Sequence, residues 1–228
     1  PNSFMPTDSK EKPINNKIKK IDYGLSDNAF VLCCFSKFYK ITPKIFEIWT
    51  NILKKFEKTE LWLSLDNIEG SKNLINLIKS KNIDIERLVF SKSVKNKKDH
   101  LNRLRLADLC LDTYPYGSHS TSCDYLRAGL PVVTMKGQSF SSSVCSSILN
   151  CMNLNELITN SFDEYEEKIT KLILEPDYLN NIKKKIEVNK IKSSFFNMKL
   201  YTSNIEKAYN ICISKHLEKL SPDNIYID

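Results

Sequence analysis

His119, Ser120 and Thr121 are consecutive residues with polar side chains, and Asp124 follows within one helical turn. They lie in a stretch, residues 109–134, that reads LCLDTYPYGSHSTSCDYLRAGLPVVT. The apolar run at 109–111 has the make-up of a short buried strand, and the next residues supply Pro115 and Gly117 where the chain must turn. Small hydroxyl residues at helix-start positions come next, then Tyr125, Leu126 and Ala128 at helical spacing, then Gly129 and Pro131 as stop signals. A helix that begins at the carboxyl end of a parallel strand offers free N–H groups and a positive dipole end to an anion. Imidazole, hydroxyls and backbone amides at 119–121 can therefore grip a phosphate, and Asp124 can reach sugar hydroxyls. The same residues also fit a plain N-cap, with Asp124 as ordinary dipole compensation.

Two other sets of residues carry chemistry. Lys40 falls in a loop between the apolar run AFVLCCF at 29–35 and a helix announced by Thr42-Pro43, Thr as N-cap and Pro at the first helical position. A lysine there is usually just exposed, but it is also where one can reach a bound phosphate as a point charge. His100 and Arg103 sit at i and i+3 on a helix expected over 99–107, whose Leu101, Leu104 and Ala107 can face the core. The basic patch just before them, Lys92, Lys95, Lys97 and Lys98, lacks the aromatic interleaving of single-strand nucleic-acid binders.

The elements that must position these groups alternate. Strands are expected at 29–35, 61–65, 87–91, 109–111 and 131–134, with helices at 43–56, 73–80, 99–107 and from 118 between them. Alternating βαβ units at this spacing imply a right-handed, doubly wound parallel sheet. After Met135 the texture becomes helical, with expected helices at 139–150, 155–159, 162–174, 176–189 and 199–219. Residues 1–24 mix Pro, Asn, Ser, Lys and Asp without periodicity and read as a linker arm. The domain then occupies 25–228, its helical extension starting at about 139. No repeat of the solenoid type is visible.

Bulk properties narrow the class. The chain has 228 residues, 41% hydrophobic and 27% charged, the balance of a globular domain rather than a disordered chain. No apolar run approaches the roughly 20 residues that span a bilayer, and the N-terminus has no signal-peptide core, so a cytoplasmic location without membrane contact is expected. The net charge of +7 is mostly scattered Lys, a pattern of solvated helix faces, so nucleic acid is not expected as a partner. The seven Cys residues have no C-x-x-C spacing and mostly lie in apolar segments, which reads as reduced core thiols and not a metal site. The chain begins with Pro1, the mark of processing or of a piece of a longer protein.

Several segments together resemble one family. FVLCCFSKFYKITP, W-x-x-I-L followed by L-W-L, RLVFS, LADLCLDT, GSHSTSCD and AGLPVVTM resemble, in order and spacing, the C-terminal catalytic lobe of the protein O-linked N-acetylglucosamine transferases, Spindly-like members included. The resemblance runs from about Pro1 to the final helix. It implies a Rossmann-like parallel sheet with helices on both faces, the C-terminal lobe of a two-lobed GT-B glycosyltransferase. It also implies a UDP-sugar, most simply UDP-GlcNAc, as donor substrate, no cofactor and no metal, and inverting transfer to Ser or Thr hydroxyls of proteins. Related lobes use N-acetylglucosamine, fucose or glucose donors.

By the same resemblance Lys40 matches the lysine that neutralises the diphosphate, and His119, Ser120 and Thr121 match a His-Thr-Thr phosphate turn. Asp124 matches a ribose carboxylate. Lys97, His100 and Arg103 match residues that hold ribose and uracil, imidazole stacking on the base and Arg binding its edge. Ser120 replaces Thr and keeps the hydroxyl, whereas Lys37 stands where the family often has an amide residue. The N-terminal catalytic lobe and the tetratricopeptide repeats that commonly precede it are not in this sequence. Two other functions remain in view, a non-catalytic UDP-sugar-binding module and a basic scaffold that binds nucleic acid or an acidic partner.

Overall fold

The structure, a computed structural model, describes Thr7 and residues 18–227. Most of the expected linker arm, residues 1–6 and 8–17, lies outside the described residues. Its end, Lys20–Tyr23, is one 3-10 turn closed by Gly24 at φ 74°, a left-handed conformation natural to glycine.

Six parallel strands form the sheet: β1 (Phe30–Cys34), β2 (Thr59–Ser64), β3 (Leu88–Ser91), β4 (Leu109–Leu111), β5 (Val132–Met135) and β6 (Ile158–Thr159). Their order is β3-β2-β1-β4-β5-β6, so the strand sequence reverses between β1 and β4, where Cys33 lies beside Cys110. Such a switch point opens a crevice beyond the carboxyl ends of its strands. Lys40 follows β1 and the 109–134 stretch begins with β4, so the fold brings the two to the same crevice. The connecting helices are α1 (Pro43–Lys55), α2 (Ile68–Ser80), α3 (Lys97–Leu104), α4 (Ser120–Ala128) and α5 (Phe140–Cys151), followed by α6 (Phe162–Leu174), α7 (Pro176–Lys192) and α8 (Met198–Leu217).

Local signals explain most boundaries. Thr42 caps α1 by accepting from the Ile45 N–H, with Pro43 at the first helical position. Asn67 caps α2 from its side chain, so this helix starts earlier than the apolar spacing alone suggests. The expected helix at 155–159 is corrected: Asn155–Leu157 is a 3-10 turn and Ile158–Thr159 is the edge strand β6, paired with Thr134 and Met135.

The core is continuous across both faces of the sheet and includes Trp49, Trp62, Tyr125 and Tyr165, all fully buried. Burying an aliphatic or aromatic side chain of this kind stabilises by about 1.5–3 kcal/mol. Their polar tips find partners, as buried N–H and O–H groups must. Trp62 Nε1 donates to Ser91 Oγ at 2.7 Å, and Trp49 Nε1 to the Tyr165 hydroxyl at 3.3 Å. That hydroxyl donates in turn to the Asp112 carbonyl at 2.8 Å, which ties α1 and α6 to the end of β4. The cysteines are free thiols, five of them buried. No helix among the described residues is long and apolar enough to cross a membrane.

Candidate functional site

The turn between β4 and α4 is built around one carboxylate. Asp112 is buried, and its Oδ1 accepts from the backbone N–H groups of Thr113 (2.8 Å) and Ser118 (2.6 Å) while Oδ2 accepts from Thr134 Oγ1 (2.7 Å). Burial pushes the Asp112 pKa up and these hydrogen bonds pull it back. At Gly117 a Cβ would stand 3.0 Å from Asp112 Oδ2, so glycine lets the chain pass this close to the carboxylate. The Thr113 hydroxyl donates to the Tyr116 carbonyl at 2.7 Å, and the hydroxyls of Ser118 and Ser122 meet at 2.5 Å.

The outcome is a fixed helix start. His119 is the N-cap residue of α4, and its side chain makes no capping bond. The imidazole lies between the rings of Tyr116 and Phe140, with Nε2 3.4 Å from the Ser141 carbonyl oxygen. Ser120 is exposed and Thr121 half-buried at the first helical positions, where backbone N–H groups have no carbonyl of their own helix to bond. Gly129 at φ 82° closes the other end of α4.

Lys40 reaches this turn from the β1 side. It ends the 3-10 turn Phe38–Lys40, and its Nζ is 3.0 Å from the Gly117 carbonyl oxygen and 3.7 Å from the centre of the Tyr116 ring. Partial burial lowers its pKa, and the Asp112 carboxylate works in the opposite direction. The Thr42 hydroxyl donates to the Tyr114 carbonyl at 3.2 Å, a second stitch between the two loops. Lys37, three residues earlier, points elsewhere and pairs with Asp66 at 3.2 Å.

The third group is on α3 and faces α4. Lys97 is the first residue of α3, and its Nζ lies 2.5 Å from Asp124 Oδ2. His100 Nε2 is 3.9 Å from the same carboxylate oxygen, and His100 Nδ1 accepts from Arg103 Nε at 3.1 Å. Nδ1 is thus the acceptor, which leaves the imidazole proton on Nε2, the side of Asp124. Burial first, then the charges of Arg103 and Lys97, push the His100 pKa down to about 4, so the ring is neutral at neutral pH. Arg103 is only 3% exposed: Nη1 donates to the Lys92 carbonyl at 2.8 Å and the guanidinium lies over the Phe35 ring. Phe35 is anchored through its N–H to the Tyr125 hydroxyl at 2.8 Å, a residue of α4.

All the residues expected to act thus lie along one crevice, in two groups. Lys40 with His119, Ser120 and Thr121 forms one, Lys97 with His100, Arg103 and Asp124 the other, and α4 joins them. Arg103 stands behind the imidazole and orients it in this structure. Sequence reasoning missed Asp112, Tyr116 and Phe35. An Asp directly after a short apolar strand was the one available signal. Among the described residues no group of three or more His, Cys, Asp or Glu side chains is placed to hold a metal ion.

A parallel sheet with this switch point and helices on both faces has the Rossmann-like form of a GT-B glycosyltransferase lobe. Residues 8–205 match glycosyl transferase family 41, and the chain belongs to that family. It is 29% identical over its whole length to an Arabidopsis thaliana protein named as the probable UDP-N-acetylglucosamine–peptide N-acetylglucosaminyltransferase SEC, of which it spans 24%. A Caenorhabditis elegans UDP-N-acetylglucosamine–peptide N-acetylglucosaminyltransferase is 34% identical over 82% of the chain, which spans 16% of that protein. Among solved structures, the K341M mutant of the Thermobaculum terrenum O-GlcNAc transferase superposes with a TM-score of 0.75 at 24% identity, over 92% of this chain and 38% of the other. The last likeness shows the fold, the C-terminal lobe of a GT-B enzyme.

Proposed function

We propose that this chain is the donor-binding lobe of a protein O-glycosyltransferase that uses a UDP-sugar, UDP-GlcNAc in the first instance, and needs no metal. The observation that carries this reading is the convergence of the Lys40 ammonium and the α4 helix start on one side of the switch point. The pyrophosphate of the donor lies there, its charge met by Lys40, the hydroxyls of Ser120 and Thr121, His119 and free N–H groups. The nucleoside lies along α3, the uracil on the His100 ring and the ribose hydroxyls on Asp124, with Lys97 beside them and Arg103 behind the imidazole. The acceptor Ser or Thr oxygen attacks C1 of the sugar, the bond from C1 to the β-phosphate oxygen breaks with inversion, and UDP leaves with the electron pair. The hydroxyl proton passes to a base.

In this reading residues 1–24 join residues 25–228 to an N-terminal lobe that completes the cleft, with tetratricopeptide repeats before it, and the enzyme works in the cytoplasm. The names and greater lengths of the relatives support it. The test is transfer from UDP-GlcNAc to a Ser/Thr peptide in EDTA, with the chain alone and with an added N-terminal lobe. Transfer only with the added lobe, giving the inverted anomer, is expected. Donor binding without transfer in either case leaves a non-catalytic UDP-sugar-binding module.

A further inference from the structure

Lys40 is useful to a diphosphate only if its ammonium stays charged and stays aimed, and a lysine on a loop does neither by default. Its side chain is flexible, and burial works against its charge. A carboxylate as partner would aim it, but would also compete with the incoming diphosphate. The nearby carboxylate, Asp112, is turned to the backbone of its own turn and to Thr134. The group that meets the ammonium is the face of Tyr116, 3.7 Å from Nζ, together with the Gly117 carbonyl at 3.0 Å. An aromatic face attracts a cation without neutralising it.

Tyr116 is itself held. Its carbonyl accepts from the Thr113 hydroxyl, and its ring packs between those of Tyr39 (6.2 Å) and His119 (5.4 Å). One ring therefore touches both parts of the anion site, the lysine from the β1 loop and the N-cap residue of α4. It does so at the surface, 38% exposed, where packing alone gives no reason for a large aromatic residue.

We propose that Tyr116 is a positioning residue for Lys40, its ring face holding the ammonium against the α4 helix start so that charge and direction are set before the diphosphate arrives. The inference rests on the donor-site reading above and concerns no contact between Tyr116 and the sugar nucleotide.

The test uses the full chain and compares Tyr116→Phe, which keeps the face, with Tyr116→Leu, which removes it. UDP and uridine are titrated calorimetrically, and the Lys40 side-chain resonances are followed by NMR in the free protein. A proton set over a ring is shifted upfield, so wild type and Tyr116→Phe should both show displaced Lys40 signals that Tyr116→Leu lacks. Tyr116→Phe should bind UDP within about twofold of wild type, and Tyr116→Leu about tenfold more weakly, the size of a partly desolvated cation–π contact. Uridine binding should not change, and in a Lys40→Ala background Tyr116→Leu should cost nothing further. Equal losses of UDP and uridine, a Tyr116→Leu chain that binds UDP normally, or Lys40 signals unaffected by loss of the ring would overturn the proposal. If wild type fails to bind UDP, the donor-site reading falls, and the NMR comparison alone decides whether the ring holds the ammonium. Because the ring is partly exposed, unchanged thermal melting of both variants separates these outcomes from misfolding.

Discussion

At the start of α4 a single buried carboxylate, Asp112, organises backbone and hydroxyl donors from behind, whereas on α3 the charged side chains hold one another. The first arrangement leaves the Ser120 and Thr121 end of the helix facing outward with its geometry already set. The second pairs Lys97 with Asp124 and Arg103 with His100. A phosphate can enter the first half without breaking a protein contact to the helix start. A ribose that bonds Asp124 must share that carboxylate with Lys97. On the proposed reading the phosphate half is therefore organised from behind by Asp112, whereas the nucleoside half exchanges an ion pair when it fills.

Removing the organiser should have the largest effect. Asp112→Ala leaves buried N–H and O–H groups without their acceptor, at about 1–3 kcal/mol each, so a loss of about 3–5 kcal/mol is expected by urea denaturation. The same change on the other side, Asp124→Ala, removes a carboxylate that pairs with a half-exposed lysine and should cost less. Equal destabilisation would erase the distinction between the two halves.

Lys40 comes next, read in catalysis. On the proposed reading its ammonium faces a diphosphate whose charge grows as the glycosidic bond breaks, which would favour the transition state over the bound donor. With an N-terminal lobe added, Lys40→Ala should lower turnover about 10²–10³-fold, the scale of losing one electrostatic stabiliser. Lys40→Arg should rescue poorly, because a planar fork does not replace a compact charge. Lys37→Ala is the control, since that ammonium is paired with Asp66. A comparable loss at Lys37 would mean the loop acts only through general positive charge.

The nucleoside half should reveal itself through pH. His100 is held near a pKa of about 4 in the fold against 6.5 in an unfolded chain, so the unfolded state binds the proton more readily. The stability from its neutral burial is complete above about pH 6.5 and is lost as the pH falls through that value towards 4. By linkage the loss approaches about 3 kcal/mol at the acid end. Chemical denaturation across this range should show a decline that is flatter in His100→Gln. An unchanged pH profile in that variant would show that the imidazole is not held neutral by the fold.

Much of the architecture was readable from residue types because buried parallel strands are continuous apolar runs. Thr42-Pro43, Gly129 and the hydroxyl cluster at 118–122 set their boundaries by local chemistry. β6 escaped because N-E-L-I-T carries helical spacing, and only pairing with Met135 makes its last residues a strand. At the candidate site the sequence offered positions but none of the contacts between them. Thr134 lies far along the chain from Asp112, and Lys97 from Asp124, so spacing does not reveal either bond. The family resemblance implies that Arg103 binds the edge of a base, whereas here its side chain is buried. The Phe35 face and the Lys92 carbonyl, both supplied by other elements, are what make its burial favourable.

The most direct measurement is calorimetric titration of UDP and of uridine, with and without EDTA, into wild type, Ser120→Ala and His100→Ala chains. UDP should bind equally well with EDTA. Ser120→Ala should weaken UDP by about 1.5–3 kcal/mol, a hydrogen bond to a charged group, and uridine far less. His100→Ala should weaken both ligands alike by about 1–3 kcal/mol, the worth of a stacking face under a base. UDP affinity that collapses on chelation, or equal losses for both ligands in both variants, would contradict a metal-independent site divided into a phosphate half and a nucleoside half.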